Sequence, residues 1–215
     1  MANWLDTVFH GFDYSILSFY NGLANVAGGF LTPLMEFISF FGKGGIMMIV
    51  LGVVLLLFKH TRRHGLTALI GILIGWILVN LTLKPLVARA RPYTHAEFQD
   101  FWAAVGCPTE SENSFPSGHT NVIACTLSGI FFASKHKKYS WLLIIPVVLM
   151  AASRNYLMVH YPTDVIAGMM TGVLSGFLSH LLFKFLYKKM EDSPTTPFCW
   201  FMLNASVVDL FKKKK

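Results

Sequence analysis

Residues 65–83 read GLTALIGILIGWILVNLTL, a stretch of 19 residues without a charged side chain. About 20 apolar residues in an α-helix cross the roughly 30 Å hydrocarbon core of a bilayer, so this stretch predicts a transmembrane helix. The composition of the whole chain agrees. Of 215 residues, 54% are hydrophobic and only 13% are charged, with a mean hydropathy of +0.53. Soluble domains carry roughly 25% charged residues, so a membrane-embedded protein is expected.

Five further segments are apolar, and their pattern is that of membrane spans. The last four of them are apolar around most of the helix circumference, unlike amphipathic surface helices. The first of them contains three glycines and Pro33, and it is expected either to span or to lie partly in the interface and bend. We therefore expect an all-α fold, a polytopic bundle of about six transmembrane helices. The five segments are residues 14–35, 44–58, 118–134, 139–153 and 165–183.

The connection at residues 84–117 and the end of the chain are more polar. In the connection, aromatic residues such as Phe98 and Trp102 alternate with acidic ones, which is typical of a segment at the membrane surface. Residues 1–190 are predicted to form the membrane-embedded domain. Residues 191–215 end in four lysines and are predicted to form a cytoplasmic basic tail that contacts anionic lipids.

The basic residues are distributed unequally between the two sides of the membrane that alternating spans define. Thirteen of the 18 fall on one side, in residues 59–63, 135–138, 184–189 and 212–215. The positive-inside rule assigns this side to the cytoplasm. The distribution of the basic residues, rather than the net charge of +7, therefore orients a multi-pass membrane protein. No nucleic-acid partner is expected, because aliphatic runs are long and polar surface is scarce. The outward-facing basic residues are Lys43, Lys84, Arg89, Arg91 and Arg154.

Three polar clusters lie at the outer ends of the predicted spans. They are KPLVARARP at residues 84–92, FPSGH at residues 115–119, and Ser153-Arg154 followed by His160 and Asp164. Span counting places all three on one side. Charged groups at membrane depth are costly and usually functional, so the clusters predict a single outward-facing site.

The first property of this predicted site is affinity for a multiply charged anion. Lys84, Arg91 and Arg154 supply three positive charges, and the arginine fork matches phosphate geometry. Ser117 and Gly118 begin a helix, whose free N–H groups and dipole also favour an anion. Ser117 is also expected to cap that helix. Arg89 is interpreted as an ordinary charge flanking a span.

The second property is a pair of histidines suited to phosphoryl transfer. Asp164 follows His160 by four residues, so its carboxylate can hold one ring nitrogen and leave the other as a nucleophile. His119 is then the general acid that protonates the leaving oxygen. His160 and Asp164 have the spacing of two metal ligands, but the surrounding cations disfavour a metal.

These clusters resemble the type 2 phosphatidic acid phosphatase family, whose pattern is K-x6-R-P, then P-S-G-H, then S-R-x5-H-x3-D. The family includes bacterial undecaprenyl-diphosphate phosphatases and shares its site with vanadium haloperoxidases. The resemblance covers about residues 10–190, without departure from the pattern. The matching residues are Lys84, Arg91, Pro92, Pro116, Ser117, Gly118, His119, Ser153, Arg154, His160 and Asp164.

The resemblance implies a six-helix membrane enzyme that needs no metal or other cofactor. It implies phosphate binding by Lys84, Arg91, Ser117, Gly118 and Arg154. It further implies His119 as acid, His160 as nucleophile and Asp164 as its orienting partner. The expected activity is hydrolysis of a lipid phosphate or diphosphate through a phosphohistidine intermediate, with undecaprenyl diphosphate preferred. The expected location is the outer face of a bacterial plasma membrane. Phosphatidic acid or phosphatidylglycerol phosphate hydrolysis, lipid phosphotransfer, and non-catalytic lipid binding are the alternatives.

Overall fold

The computed structural model describes residues 1–135 and 138–192, and every regular element within them is helical. The predicted all-α fold is confirmed. The last helix continues to Asp192, past the predicted domain boundary, and residues 193–215 of the predicted tail lie outside the described residues. The helices are α1 (Ala2–Val8), α2 (His10–Phe40), α3 (Ile46–Leu57), α4 (Arg62–Trp76), α5 (Lys84–Val87), α6 (Gln99–Ala103), α7 (Gly118–Ala133), α8 (Ile144–Tyr156) and α9 (Pro162–Asp192).

Three helical stretches are long and apolar enough to cross a membrane. They are His10–Leu57, Arg62–Thr94 and Pro162–Asp192, and a shorter apolar helical stretch covers Ser140–Tyr156. Large apolar side chains on these stretches point outward, as lipid-facing side chains do. Val26, for example, is 88% exposed. The number of six spans stays a prediction.

The first predicted segment forms one long helix with an internal bend. α2 continues from His10 to Phe40, but Ala27 departs from helical geometry with φ −132° and ψ 18°. Pro33 lies in the same helix and cannot donate a backbone hydrogen bond. The bend expected from the sequence therefore occurs within a helix that continues beyond it.

The stretch that begins at residue 65 is helical throughout but changes its winding near the end. α4 passes into a π-helical segment, Ile77–Leu83, which leads directly into α5 and Lys84. Such segments are rare and frequently occur at functional sites. Ala88 then adopts the left-handed conformation with φ 51°, which ends α5 and turns the chain before Arg89.

The centre of the bundle is formed by α4, α7 and α9, which pack against one another. Small residues on α9 allow this close approach. A Cβ atom on Gly168 would lie 2.6 Å from the carbonyl oxygen of Ser117, and one on Gly172 would lie 2.8 Å from that of Asn121. Glycine at these two positions therefore lets the start of α7 lie against the start of α9.

The polar connection packs more deeply than its sequence indicates. Phe98 is 1% exposed and belongs to a core cluster with Leu17 of α2 and Tyr156 of α8. Phe98 therefore packs into the protein interior, and the position of the connection at the membrane surface stays a prediction. Tyr93 and Trp102 stack with their ring centroids 5.0 Å apart. The connection folds over one end of the bundle, next to the predicted site.

Candidate active site

One cavity at this end of the bundle collects residues from all three predicted clusters. Its volume is about 640 Å³. Lys84 in α5 and Arg91 after it contribute from the first cluster, Gly118 and His119 at the start of α7 from the second, and His160 between α8 and α9 from the third. The structure therefore brings together the residues that span counting places on one side.

The other three predicted residues do not line the cavity but are buried in the protein next to it. They are Ser117, Arg154 and Asp164. Ser117 is fully buried and is the N-cap of α7, where its Oγ accepts a 3.5 Å hydrogen bond from the amide of Thr120. Arg154 is 2% exposed and donates to the side chains of Ser39 and Glu110. Asp164 is fully buried in the first turn of α9.

The hydrogen-bond partners of His160 indicate which ring nitrogen carries the proton. Nη1 of Arg91 donates to the carbonyl oxygen of Val159 at 2.7 Å and lies 3.3 Å from Nε2 of His160. A guanidinium group can only donate, so Nε2 must accept, and the ring proton is then on Nδ1. The lone pair on Nε2 therefore faces Arg91, one of the three cations predicted to bind phosphate.

The surroundings of His160 also favour its neutral form. Burial, followed by the positive charges of Arg91, Arg154 and Lys84, holds the pKa of His160 well below its usual value of 6.5. The imidazole is therefore neutral at pH 7. A neutral imidazole with its lone pair on Nε2 is the form that attacks an electrophile.

On the other side of the ring, Nδ1 faces Ser114 and Asp164. Nδ1 lies 3.6 Å from Oδ2 of Asp164 and 3.5 Å from Oγ of Ser114. The Ser114 hydroxyl in turn donates to Asp164, whose Oδ2 also accepts a 3.0 Å hydrogen bond from the amide of Tyr161. Because 3.6 Å exceeds a direct hydrogen bond, Asp164 acts on the ring here through its charge and through Ser114.

Arg89 holds the second oxygen of Asp164, so the interpretation of Arg89 as an ordinary flanking charge is wrong. It is 1% exposed, and its Nη1 donates to Oδ1 of Asp164 at 2.7 Å. It also donates to Asp13 at 2.9 Å and to Asp6 at 2.7 Å. Asp6 and Asp13, which lie in a largely apolar segment near the start of the chain, are the sequence signal for this role. A carboxylate that becomes buried in such a segment needs a cation as its partner.

Two acidic residues that the sequence did not point to contact cations predicted to bind phosphate. Glu112 forms an ion pair with Lys84, and Glu110 forms one with Arg154. Burial opposes ionisation of Glu110, but the charges of Arg154 and His119 outweigh it and lower its pKa below the usual value. Both carboxylates come from the connection between α6 and α7.

The remaining predicted catalytic residue, His119, borders the cavity near Glu110. Its side chain is 15% exposed, and its Nε2 lies 4.0 Å from Oε1 of Glu110. The neighbouring Gly118 has no side chain to obstruct Lys84, whose Nζ is 3.5 Å from the position that a Cβ atom would take. Among the described residues, no group of three or more His, Cys, Asp or Glu side chains is placed to hold a metal ion.

The all-helical bundle and the cluster of cations and histidines at its end define a membrane phosphatase. Residues 64–188 match the model of the PAP2 superfamily, and the chain belongs to that family. The predictions of the family and of phosphatase activity are confirmed.

Two curated relatives and one solved structure illustrate the family members that the chain resembles. An undecaprenyl-diphosphatase from Sulfolobus acidocaldarius is 33% identical over 152 residues, which cover 70% of this chain and 68% of the relative. A lipid A 4'-phosphatase from Porphyromonas gingivalis is 35% identical over 53% of this chain and 50% of the relative. The crystal structure of a PAP2-type phosphatidylglycerolphosphate phosphatase from Bacillus subtilis gives a TM-score of 0.63 at 25% identity, covering 92% and 94% of the two chains.

Proposed function

We propose that this chain hydrolyses a lipid phosphate or diphosphate through a phosphohistidine formed on Nε2 of His160. The observation that carries the proposal is the contact between Arg91 and His160. Arg91 faces the unprotonated nitrogen, so the cation that would bind an equatorial phosphate oxygen lies next to the proposed nucleophile.

In the first step, Nε2 of His160 attacks phosphorus and the bond from phosphorus to the lipid-side oxygen breaks. His119 donates its proton to that oxygen, which leaves as the lipid alcohol or lipid phosphate. Lys84 and Arg91 contact the equatorial oxygens and stabilise their negative charge, and Arg154 adds its positive charge from behind the cavity wall. Asp164 stabilises the positive charge that the imidazole ring gains, as the carboxylate of a catalytic triad does.

In the second step, water attacks the phosphorus of phosphohistidine. His119, now neutral, takes a proton from the water, and the bond from phosphorus to Nε2 breaks. Inorganic phosphate leaves, and His160 returns to its neutral form. Glu110, 4.0 Å from His119, attracts the positive charge of that ring while it holds the proton. No step requires a metal ion or another cofactor.

Undecaprenyl diphosphate is the proposed substrate. The curated relative named for that activity aligns over 70% of this chain. Phosphatidylglycerol phosphate is the second candidate, because the solved phosphatase named for it covers 92% of this chain with a TM-score of 0.63. Both ligands present a terminal phosphate on a lipid.

The decisive experiment measures phosphate release by the purified chain from a panel of these two lipids and phosphatidic acid, with and without a chelator. We expect undecaprenyl diphosphate to give the highest kcat/KM and the chelator to have no effect. Labelling with a ³²P-lipid should give an acid-labile phosphoprotein in the wild type but not in His160→Ala. The control is His10→Ala, which changes an exposed histidine outside the cavity and should still be labelled. A labelled His160→Ala protein would contradict the proposed intermediate.

We further propose that the active site faces the extracytoplasmic side, on the basis of the positive-inside rule. Cys107 offers a direct test, because it is exposed in the connection that covers the site, whereas Cys125 is buried. In a Cys199→Ser background, a membrane-impermeant maleimide should label Cys107 in intact cells. Labelling that requires permeabilised cells would reverse the proposed orientation.

A further inference from the structure

A second cavity lies at the opposite end of the bundle, where α4 begins and α7 and α9 end. Its volume is about 570 Å³. Positively charged side chains reach it from the α3–α4 connection, the start of α4, the residues after α7 and the last turns of α9. They are Lys59, Arg62, Arg63, Lys135 and Lys184, and we call this cavity the basic cavity.

Four of the five cations that line the basic cavity differ from Lys84 and Arg154 of the active site, which are each paired with a carboxylate. Within residues 1–135 and 138–192, no ion pair involves Lys59, Arg63, Lys135 or Lys184. One carboxylate, that of Glu191, is among the residues that line the cavity. Like charges gathered around one cavity repel each other, and a bound anion relieves that repulsion.

An apolar groove adjoins the basic cavity and indicates that the bound anion carries an apolar chain. The two share Phe132 of α7, and the rest of the groove is lined by α9 residues that include Met170, Val173 and Phe177. Met170 is 67% exposed, and Val173 and Phe177 are more than 40% exposed. The groove therefore lies on the outer surface of a helix that is long and apolar enough to span the membrane.

We propose that the basic cavity binds the phosphate of an anionic phospholipid, with an acyl chain of the same molecule in the adjoining groove. Basic pockets between transmembrane helices bind such headgroups because charge attraction and burial of the chain act together. A free phosphate ion would use the cations but leave the groove without a role. The site is separate from the active site, so the lipid bound here is not the molecule being hydrolysed.

The test compares two double variants that remove the same charge at the same end of the molecule. Lys135→Gln with Lys184→Gln removes two cations that line the cavity, whereas Lys188→Gln with Lys189→Gln removes two that do not. The full chain in detergent is titrated with phosphatidylglycerol or phosphatidylcholine, and native mass spectrometry gives the apparent Kd. We expect the cavity variant to raise the Kd for phosphatidylglycerol about tenfold and the control less than twofold.

Three results would overturn the proposal. An equal rise of the Kd for phosphatidylglycerol in the two double variants would mean that the general positive charge of the surface attracts the lipid. Equal affinity of the wild type for phosphatidylcholine would mean that the cations do not select the lipid. Displacement of phosphatidylglycerol by an equal concentration of inorganic phosphate would mean that the ligand is a free anion. A circular dichroism spectrum identical to that of the wild type ensures that each variant is folded.

Discussion

At one end of the bundle, Lys84 and Arg154 are paired with Glu112 and Glu110. At the other end, Lys59, Lys135 and Lys184 line a cavity and form no ion pair within the part of the chain that the structure describes. The presence or absence of a carboxylate partner suits two different modes of anion binding. A cation held by a carboxylate must exchange that partner for the ligand, which suits a phosphate that binds and leaves in each turnover. Cations without carboxylates favour an anion that stays bound.

The largest expected effect comes from removing the proposed nucleophile of the active site. His160→Ala should lower kcat by about 10⁴-fold or more, because attack through phosphohistidine becomes impossible. The cations remain, so vanadate should still bind with a Kd within a few-fold of the wild type. Phosphate release and vanadate titration measure the two effects separately. Retained turnover would mean that another group attacks phosphorus.

The next effect concerns the most completely paired cation at the active-site end. Arg89 contacts Asp6, Asp13 and Asp164, and removing one partner of a buried ion pair leaves uncompensated charge. Arg89→Ala should therefore lower the free energy of unfolding by about 3–5 kcal/mol.

Arg89→Lys provides the matched control, because it keeps the charge but cannot hold Asp164 with the same fork. We expect this variant to fold and to lose about tenfold or more in kcat, with little change in KM. Steady-state kinetics measure both parameters, and a change confined to KM would contradict a positioning role. The pH dependence of kcat should also move, since Asp164 acts on the His160 ring, whereas a purely structural role would leave it unchanged.

The buried His160 should also make stability depend on pH. Its pKa is lowered in the folded state, so below about pH 6.5 the unfolded chain binds a proton that the folded chain does not. The free energy of unfolding should then fall with decreasing pH, by at most about 1.4 kcal/mol per pH unit. His160→Asn should reduce this slope, whereas His10→Asn, an exposed control, should keep it. Urea unfolding between about pH 7.5 and pH 5.5 measures the slope.

A smaller effect is expected from Glu112, the carboxylate that is paired with Lys84. Glu112→Gln removes the negative charge next to Lys84 and should lower the Ki of vanadate by about three- to tenfold. Glu97→Gln, at the same end but paired with His10, is the matched control and should leave the Ki unchanged. A higher Ki in Glu112→Gln would show that this carboxylate helps to bind the anion.

The comparison of the two ends also shows what sequence can and cannot predict. The bundle, its long helices and the convergence of Lys84, His119 and His160 follow from the length of the apolar segments and from the positions of the polar clusters at their ends. Each of these signals lies within a short segment. The role of Arg89 could not be predicted in this way, because its partner Asp13 is distant along the chain. The same holds for Glu110, whose contact with Arg154 depends on how residues 84–117 fold over the bundle.

The basic cavity was partly predictable for a related reason. The positive-inside rule gathers Lys59, Arg63, Lys135 and Lys184 on one side of the membrane, but it says nothing about whether they converge. Their convergence depends on the close approach of α4, α7 and α9, which glycines such as Gly172 allow. A rule based on charge counts therefore predicts orientation, whereas only the packing produces a binding site.

The smallest expected effect concerns the carboxylate at the basic cavity. It tests whether that carboxylate repels the bound anion instead of being paired with a cation, as the carboxylates of the active site are. Glu191 is the carboxylate that lines it, and Glu191→Gln should lower the Kd for phosphatidylglycerol about twofold, because one exposed repulsive charge is removed. Asp192→Asn removes the same charge one residue away from the lining and should change the Kd less. Native mass spectrometry resolves the two values. A higher Kd in Glu191→Gln would mean that this carboxylate holds the cations of the basic cavity in place, as Glu110 and Glu112 hold Arg154 and Lys84 at the other end.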